Sequence, residues 1–202
     1  MYKKLAIGFF LIGAMSMLIM SWHYLTQPAT GILVKKAAAQ YDWYKFIFRT
    51  HVLFGLIAIS TGPFQLSNTL RRRNLQIHRS LGYMYTLGVG LSSLTGLVVA
   101  PHAMGGWISA LGFSILAVGW FSTLVLGVRA ARKGDIISHH MWMYLNYGLT
   151  FAAITQRSML LLAFLPSLPF ISVYQASAWL PWMINVIIAY TIFQKTHKRA
   201  IV

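Results

Sequence analysis

Histidine is the side chain with which this sequence could do most chemistry. The 202 residues include seven His but no Cys, and the only acids are Asp42 and Asp135. The lack of Cys excludes disulfides, thiolate metal sites and iron–sulfur clusters. Two separated acids exclude the carboxylate pair of a glycoside hydrolase, and neither an HExxH motif nor a P-loop is present. Imidazole can ligate haem iron, and it also suits Zn or Cu.

A stripe of residues at helical spacing follows one of these histidines. It starts at His139 and includes Met143, Asn146, Thr150, Ala153 and Arg157, which fall on one face of a helix. A helix of this length rises about 27 Å, close to the thickness of the bilayer hydrocarbon. Arg157 would then lie near the membrane face opposite His139, where its guanidinium either needs an anionic partner or reaches lipid headgroups.

The elements that must position these side chains are membrane-spanning helices. Apolar residues make up 57% of the chain and charged residues 9%, whereas a soluble domain has roughly 25% charged residues. Apolar runs of about 20 residues recur, which is the length that crosses a bilayer as a helix. The sequence therefore predicts an all-α integral membrane helical bundle of about six transmembrane helices, forming a single domain over residues 1–202. The predicted spans are Leu5–Tyr24, Phe48–Leu70, His78–Ala100, Trp107–Val128, Ser138–Phe164 and Trp179–Phe193.

The charge distribution predicts how these spans are oriented. The net charge of +15 is not gathered on one surface, as it would be in a nucleic-acid-binding protein. Most basic residues instead fall in short clusters on one side of the predicted spans, which is the positive-inside pattern. We therefore expect both termini to be cytoplasmic, with the lipid bilayer and no nucleic acid as a partner; the family resemblance given below implies a bacterial cytoplasmic (inner) membrane.

This topology sorts five of the histidines into two layers. His78, His139 and His140 lie at the cytoplasmic face, and His51 and His102 lie at the outer face. Paired His from facing helices are the usual way in which a helical bundle holds a b-type haem. His78 with His139 or His140 is the stronger predicted pair, because these residues open helices on the same side.

Less specific interpretations compete with these roles. A single His near the end of a membrane helix is most often an interfacial polar residue, and His23 and His197 are assigned that role. Arg71, Arg72 and Arg73 are expected to act as topology determinants.

Several ordered motifs resemble a family of predicted bacterial membrane proteins that is classified as a domain of unknown function. The resemblance covers roughly residues 48–160 and implies an integral membrane protein without an established reaction. It rests on His51, Gly62-Pro63-Phe64-Gln65, His78-Arg79-x-x-Gly82-x-x-Tyr85, Gly112-Phe113, His139-x-x-Trp142-Met143 and Arg157.

A looser resemblance is to the cytochrome b561-like architecture, in which six helices hold two haems. The family pattern pairs His on the second and fourth helices and on the third and fifth. His78 and His139 match one pair, while His51 and His102 are candidates for the other. This sequence departs from the pattern because its His lie at predicted helix ends and His102 precedes its span.

The leading functional hypothesis is a membrane protein that binds haem b and transfers electrons, with a quinone or another redox molecule as partner. His78 and His139 would be the inner axial ligands, and His51, with His102, would form an outer site. Arg157 and Arg79 would neutralise haem propionates. The alternatives are a Zn or Cu site using His78, His139 and His51, and a non-catalytic membrane subunit or small-molecule-binding bundle.

Overall fold

A computed structural model describes residues 2–26 and 37–198, with side chains outside 2–7, 9–11, 23, 37 and 197–198. Within these ranges every regular element is helical, which confirms the all-α prediction. Three short 3-10 helices occur at Ala37–Gln40, Ala100–His102 and Leu161–Phe164. The α-helices are α1 Tyr2–Thr26, α2 Asp42–Gln65, α3 Asn68–Arg73, α4 Leu75–Val99, α5 Trp107–Arg132, α6 Ile136–Leu160, α7 Phe170–Ser177 and α8 Leu180–Lys198.

Among the residues that the structure describes, four helical segments are long and apolar enough to cross a membrane. They are Asp42–Gln65, Leu75–His102, Trp107–Arg132 and Phe170–Thr196, and they correspond to the second, third, fourth and sixth predicted spans. The first and fifth predicted spans form α1 and α6, of 25 residues each, but they are not among the four. Imidazoles, an amide and a guanidinium lower the hydropathy of α6. The chain is thus a multi-pass membrane protein, while the count of six spans stays a prediction. Residues 1 and 199–202 lie outside the description, so the cytoplasmic termini also stay a prediction.

Several predicted boundaries were wrong. The second span was expected to start at Phe48, but α2 begins six residues earlier, at Asp42, whose carboxylate accepts a hydrogen bond from Lys45 Nζ at 2.8 Å. A carboxylate is favourable in the first turn of a helix, so α2 starts among the polar residues that precede the apolar run. The same span was expected to reach Leu70, but α2 ends at Gln65 and α3 follows separately. The stretch between the fifth and sixth predicted spans contains α7.

The chain divides by its internal contacts into two compact units, Met1–His102 and Ala103–Val202. The first unit contains α1 to α4, and the second contains α5 to α8. No observation tests the predicted single domain over residues 1–202.

In the first unit, α2 packs closely against α4 through small residues. A methyl group on Gly88 of α4 would lie 2.9 Å from the backbone N of Ala58 and 2.9 Å from the carbonyl oxygen of Phe54. Ala58 and Val89 are fully buried at this interface. Gly88 therefore lets the backbones of the two helices approach closely. Packing between backbones in this way is a main source of helix association in a membrane, where burial of apolar surface supplies little.

In the second unit, α6 packs against both α5 and α8. A methyl group on Gly148 of α6 would lie 2.9 Å from the carbonyl oxygen of Asn185 in α8. On the other side, a methyl group on Gly127 of α5 would lie 2.9 Å from Sδ of Met143. Gly148 and Gly127 therefore allow α8 and α5 to approach α6 closely.

Candidate functional site

His51 lies inside α2 and is held by α4. Its Nδ1 is 2.8 Å from the carbonyl oxygen of Ser92 and 3.2 Å from the Ser92 hydroxyl. The hydroxyl in turn donates to the backbone carbonyl of His51 at 2.8 Å. The sequence placed His51 at the start of a span; because α2 begins at Asp42, the residue instead lies more than two turns into its helix.

His139 is held in a similar way in the second unit. Its Nδ1 is 2.9 Å from the carbonyl oxygen of Gly127 in α5. The same glycine receives the side chains of Trp142 and Met143, since a methyl group there would lie 3.3 Å from Cβ of Trp142 and 2.9 Å from Sδ of Met143. The His139-x-x-Trp142-Met143 motif therefore packs around one glycine of the facing helix.

The two imidazoles make the same kind of hydrogen bond. A carbonyl oxygen can only accept a hydrogen bond, so Nδ1 carries a proton in both His51 and His139. Histidines that ligate metals generally donate their second ring nitrogen to a carbonyl or carboxylate in this way, which fixes the ring and raises its basicity. Both side chains therefore make the Nδ1 hydrogen bond that is typical of an Nε2 ligand.

His78 and His139 occupy equivalent positions at the starts of their helices. The N-cap of α4 is Asn74 and that of α6 is Asp135; each side chain accepts a hydrogen bond from a backbone N–H three residues later, at 2.9 and 3.0 Å. The backbone N–H groups of His78 and His139 donate to the carbonyls of these N-cap residues at 3.1 and 3.0 Å. Each His is thus one turn into a capped helix.

The Asp135 cap also has an electrostatic consequence. Hydrogen bonds from Ser138, first from its hydroxyl and then from its backbone N–H, lower the pKa of the Asp135 carboxyl. Asp135 is consequently ionised at neutral pH, as suits a cap at the positive end of the α6 dipole.

The Gly-Pro-Phe-Gln motif meets the His-Arg motif at the junction of α2 and α4. Nε2 of Gln65 donates to the carbonyl oxygen of His78 at 3.2 Å. Gly82 leaves room for the Gln65 amide, because a methyl group at Gly82 would lie 3.1 Å from its Oε1. Two motifs that are separate in the sequence therefore form one contact beside His78, a relation that their spacing alone did not reveal.

The central polar residues of the α6 stripe contact α5. Asn146 is fully buried and donates to the carbonyl oxygen of Trp120 at 2.7 Å and to the hydroxyl of Thr123 at 2.8 Å. The indole N–H of Trp120 donates to the Thr150 hydroxyl at 2.8 Å. The sequence did not predict the contacts of Trp120, because an aromatic residue in an apolar helix does not reveal which polar group its N–H meets.

At the far end of the stripe, Arg157 is half-buried. Its Nη1 donates to the carbonyl oxygen of Ala153 at 3.0 Å, one turn earlier in the same helix. This bond directs the guanidinium back along the stripe toward Ala153.

Two other predicted ligands have different surroundings. The exposed ring of His102 packs edge-on against Tyr44 and Trp43, with centroid distances of 5.1 and 6.1 Å. Tyr44 precedes His51 by about two turns, which separates the two positions by about 10 Å along α2. The contacts therefore place His102 and His51 in different local environments within the first unit. Arg79 is exposed on α4.

The predicted inner pair joins residues of different units, since His78 belongs to the first unit and His139 to the second. Their pairing stays a prediction. In the part of the chain that the structure describes, no group of three or more His, Cys, Asp or Glu could hold a metal ion.

Comparison with known proteins identifies the family. The profile of a family described as predicted membrane protein, DUF2306, matches residues 48–193. Neither the curated proteins nor the solved structures gave a match, so the looser resemblance to cytochrome b561 has no support from them. The matched region extends beyond the predicted 48–160 and contains the motifs around His51, His78 and His139. Because the profile covers well over half of the sequence, the chain belongs to the DUF2306 family of predicted membrane proteins.

Proposed function

We propose that this protein binds b-type haem within the membrane and transfers electrons, with His139 and His51 as axial ligands of an inner and an outer site. One observation carries the proposal: the Nδ1–H of each ring donates to a backbone carbonyl of the facing helix, at 2.9 and 2.8 Å. In His139, Nε2 would then be the nitrogen that ligates iron, on a ring whose orientation is already fixed.

A haem fits these residues better than a site made from protein ligands alone. Zinc is held by three or four side chains even when one position is open, and the described residues provide no such cluster. A porphyrin supplies four nitrogens to its iron, so only one or two imidazoles are required of the protein. Two histidines held separately, each by a neighbouring helix, match that requirement.

The remaining polar residues have defined roles in this proposal. His78, one turn into α4, is a candidate ligand within the first unit. The guanidinium of Arg157, half-buried on α6, supplies positive charge for a propionate, and so does that of the exposed Arg79. When bound, the haem accepts and donates single electrons, and a quinol in the same bilayer is the partner whose chemistry suits it. The bacterial cytoplasmic membrane is the proposed location.

The test is the absorption spectrum of the purified full chain, oxidised and then reduced, after expression with adequate haem. We expect a Soret band that shifts on reduction. His139→Ala should lower the haem-to-protein ratio severalfold or change the spin state of the iron. His140→Ala is the matched control, because His140 is the adjacent half-buried imidazole on α6, and it should retain the wild-type spectrum.

Three outcomes contradict the proposal. A folded, helical protein without a Soret band would exclude haem binding. Stoichiometric Zn or Cu in the absence of haem would favour the metal site. Unchanged haem content in His139→Ala, His78→Ala and His51→Ala, with each variant helical by circular dichroism, would show that these residues are not ligands and favour a non-catalytic bundle.

A further inference from the structure

A run of three arginines lies between two helices that are able to span the membrane. Arg71, Arg72 and Arg73 form the last turn of α3, which follows the end of α2 and precedes the start of α4. Since α2 and α4 are candidate spans that pack against each other, their connection lies at a membrane surface. The chain therefore presents three adjacent guanidiniums at the level of the lipid headgroups.

The first unit has no carboxylate side chain close to these arginines. The two acids of the chain are Asp42 and Asp135. Asp42 begins α2 at the opposite end of that 24-residue helix, about 35 Å away, and is bonded to Lys45. Asp135 belongs to the second unit, where it caps α6. Within the first unit, therefore, no carboxylate side chain lies at the end of α2 where α3 begins.

Apolar side chains next to the arginines indicate which kind of anion suits them. Leu75 and Ile77, in the first turn of α4, are 49% and 46% exposed, and Arg72 and Arg73 are exposed beside them. A surface that combines guanidiniums with exposed aliphatic side chains matches the headgroup and upper acyl chain of a phospholipid. A nucleic acid or a free phosphate offers no counterpart to the aliphatic part.

We propose that this surface, formed by Arg71, Arg72, Arg73, Leu75 and Ile77 and called the α3 surface, binds anionic phospholipids through their phosphodiester groups. Guanidinium suits this role because its planar fork donates two parallel hydrogen bonds to phosphate oxygens. The hydrogen bond from Nη2 of Arg71 to Oδ1 of Asn68, at 3.1 Å, orients one member of the cluster. The surface binds lipid independently of any cofactor.

Native mass spectrometry of the full chain in a neutral detergent tests the proposal. Dioleoyl phosphatidylglycerol and dioleoyl phosphatidylcholine are titrated separately, and inorganic phosphate is added as a competitor. We expect phosphatidylglycerol to bind more tightly than phosphatidylcholine and to resist millimolar phosphate. Each arginine near an anionic surface contributes about a fivefold gain in affinity, so replacing three should weaken phosphatidylglycerol binding on the order of a hundredfold.

The variant is R71Q/R72Q/R73Q, and the matched control is R129Q/R132Q/K133Q, which removes the same charge from exposed residues at the end of α5. The control should leave the affinity of the tightest-bound phosphatidylglycerol within about threefold of wild type. R71K/R72K/R73K keeps the charge and should retain the preference for phosphatidylglycerol. This variant shows whether a weaker affinity of the glutamine variant comes from the lost charge or from a folding defect caused by changing these three positions.

Two results overturn the proposal. Equal weakening by the two glutamine variants would assign the binding to net charge rather than to the α3 surface. Equal affinity for the two lipids in the wild-type protein, or displacement of phosphatidylglycerol by phosphate alone, would show that the surface does not bind anionic lipid.

Discussion

Substituting Gly88 with Ala should destabilise the first unit by forcing α2 and α4 apart. The added methyl group would lie 2.9 Å from a backbone nitrogen and 2.9 Å from a backbone oxygen of α2. Ordinary contacts of a methyl carbon are about 3.5–4 Å, so the helices must separate by roughly 0.5–1 Å. Backbone atoms cannot rotate out of the way as the end of a flexible side chain can.

The size of the effect follows from this geometry. Inserting a methyl group into a close-packed interface costs about 1–3 kcal/mol. For a chain of this length, each kcal/mol lowers the melting temperature by about 2–4 °C, which gives a decrease of about 2–12 °C. Gly88 lies one turn before Ser92 on α4, so the same separation should also loosen the hydrogen bond between Ser92 and His51.

Gly90→Ala provides the control on the same helix. No atom lies within 4 Å of a methyl group at Gly90, so it meets open space, and Ala favours a helix over Gly by about 0.5–1 kcal/mol. Thermal unfolding of both variants in the same detergent, followed by circular dichroism, compares them directly. Gly90→Ala should match or exceed the wild-type melting temperature. If Gly88→Ala is as stable as Gly90→Ala, then the close approach of α2 and α4 does not limit stability.

Three further predictions concern the second unit. Asn146→Ala should lower the free energy of unfolding by about 1–2 kcal/mol, because it removes two hydrogen bonds to α5 and such bonds average about 0.6 kcal/mol each inside a membrane. Denaturation in mixed micelles measures the change. Gly127→Ala should lower the free energy of unfolding by about 1 kcal/mol or more. Adding Met143→Ala should restore most of the lost stability, since the new methyl group meets the flexible Sδ of Met143. If the double variant is no more stable, the methyl group clashes with another group. The stabilisation of the folded state by Asp135 should be fully present above the pKa of an unfolded Asp, about 4. It should be lost as the pH falls through the lowered pKa of the folded state. Asp135→Asn can still cap α6, and it should flatten this part of the plot of unfolding free energy against pH.

Helical periodicity predicted which face of α6 is buried. The spacing from His139 through Asn146 to Thr150 placed these residues on one stripe, and the structure has Asn146 fully buried and Thr150 nearly so against α5. Periodicity identifies the buried face of a helix but not the neighbour that covers it. The partners Trp120 and Gly127 lie on another helix, and only their three-dimensional packing reveals them.

Periodicity could not predict how far His51 lies from the start of its helix. An apolar run shows where a helix enters hydrocarbon, whereas the helix itself can start earlier among polar residues that remain in water. Asp42 and Lys45 stabilise such an early turn through their 2.8 Å ion pair, and the predicted start at Phe48 was therefore too late. The carbonyls that accept from His51 and His139 are backbone groups, so no side-chain pattern could indicate them.

The division of the chain after His102 has a consequence for its synthesis. The hydrogen bonds between His51 and Ser92 lie within the first 102 residues. A ribosome adds roughly 5–20 residues per second, so this half is complete about 5–20 s before the last residue of the second half is joined. The pairing of α2 with α4 can therefore be established in the membrane while α5 to α8 are still being translated, and a folding defect in the later half need not disturb the hydrogen bonds between His51 and Ser92.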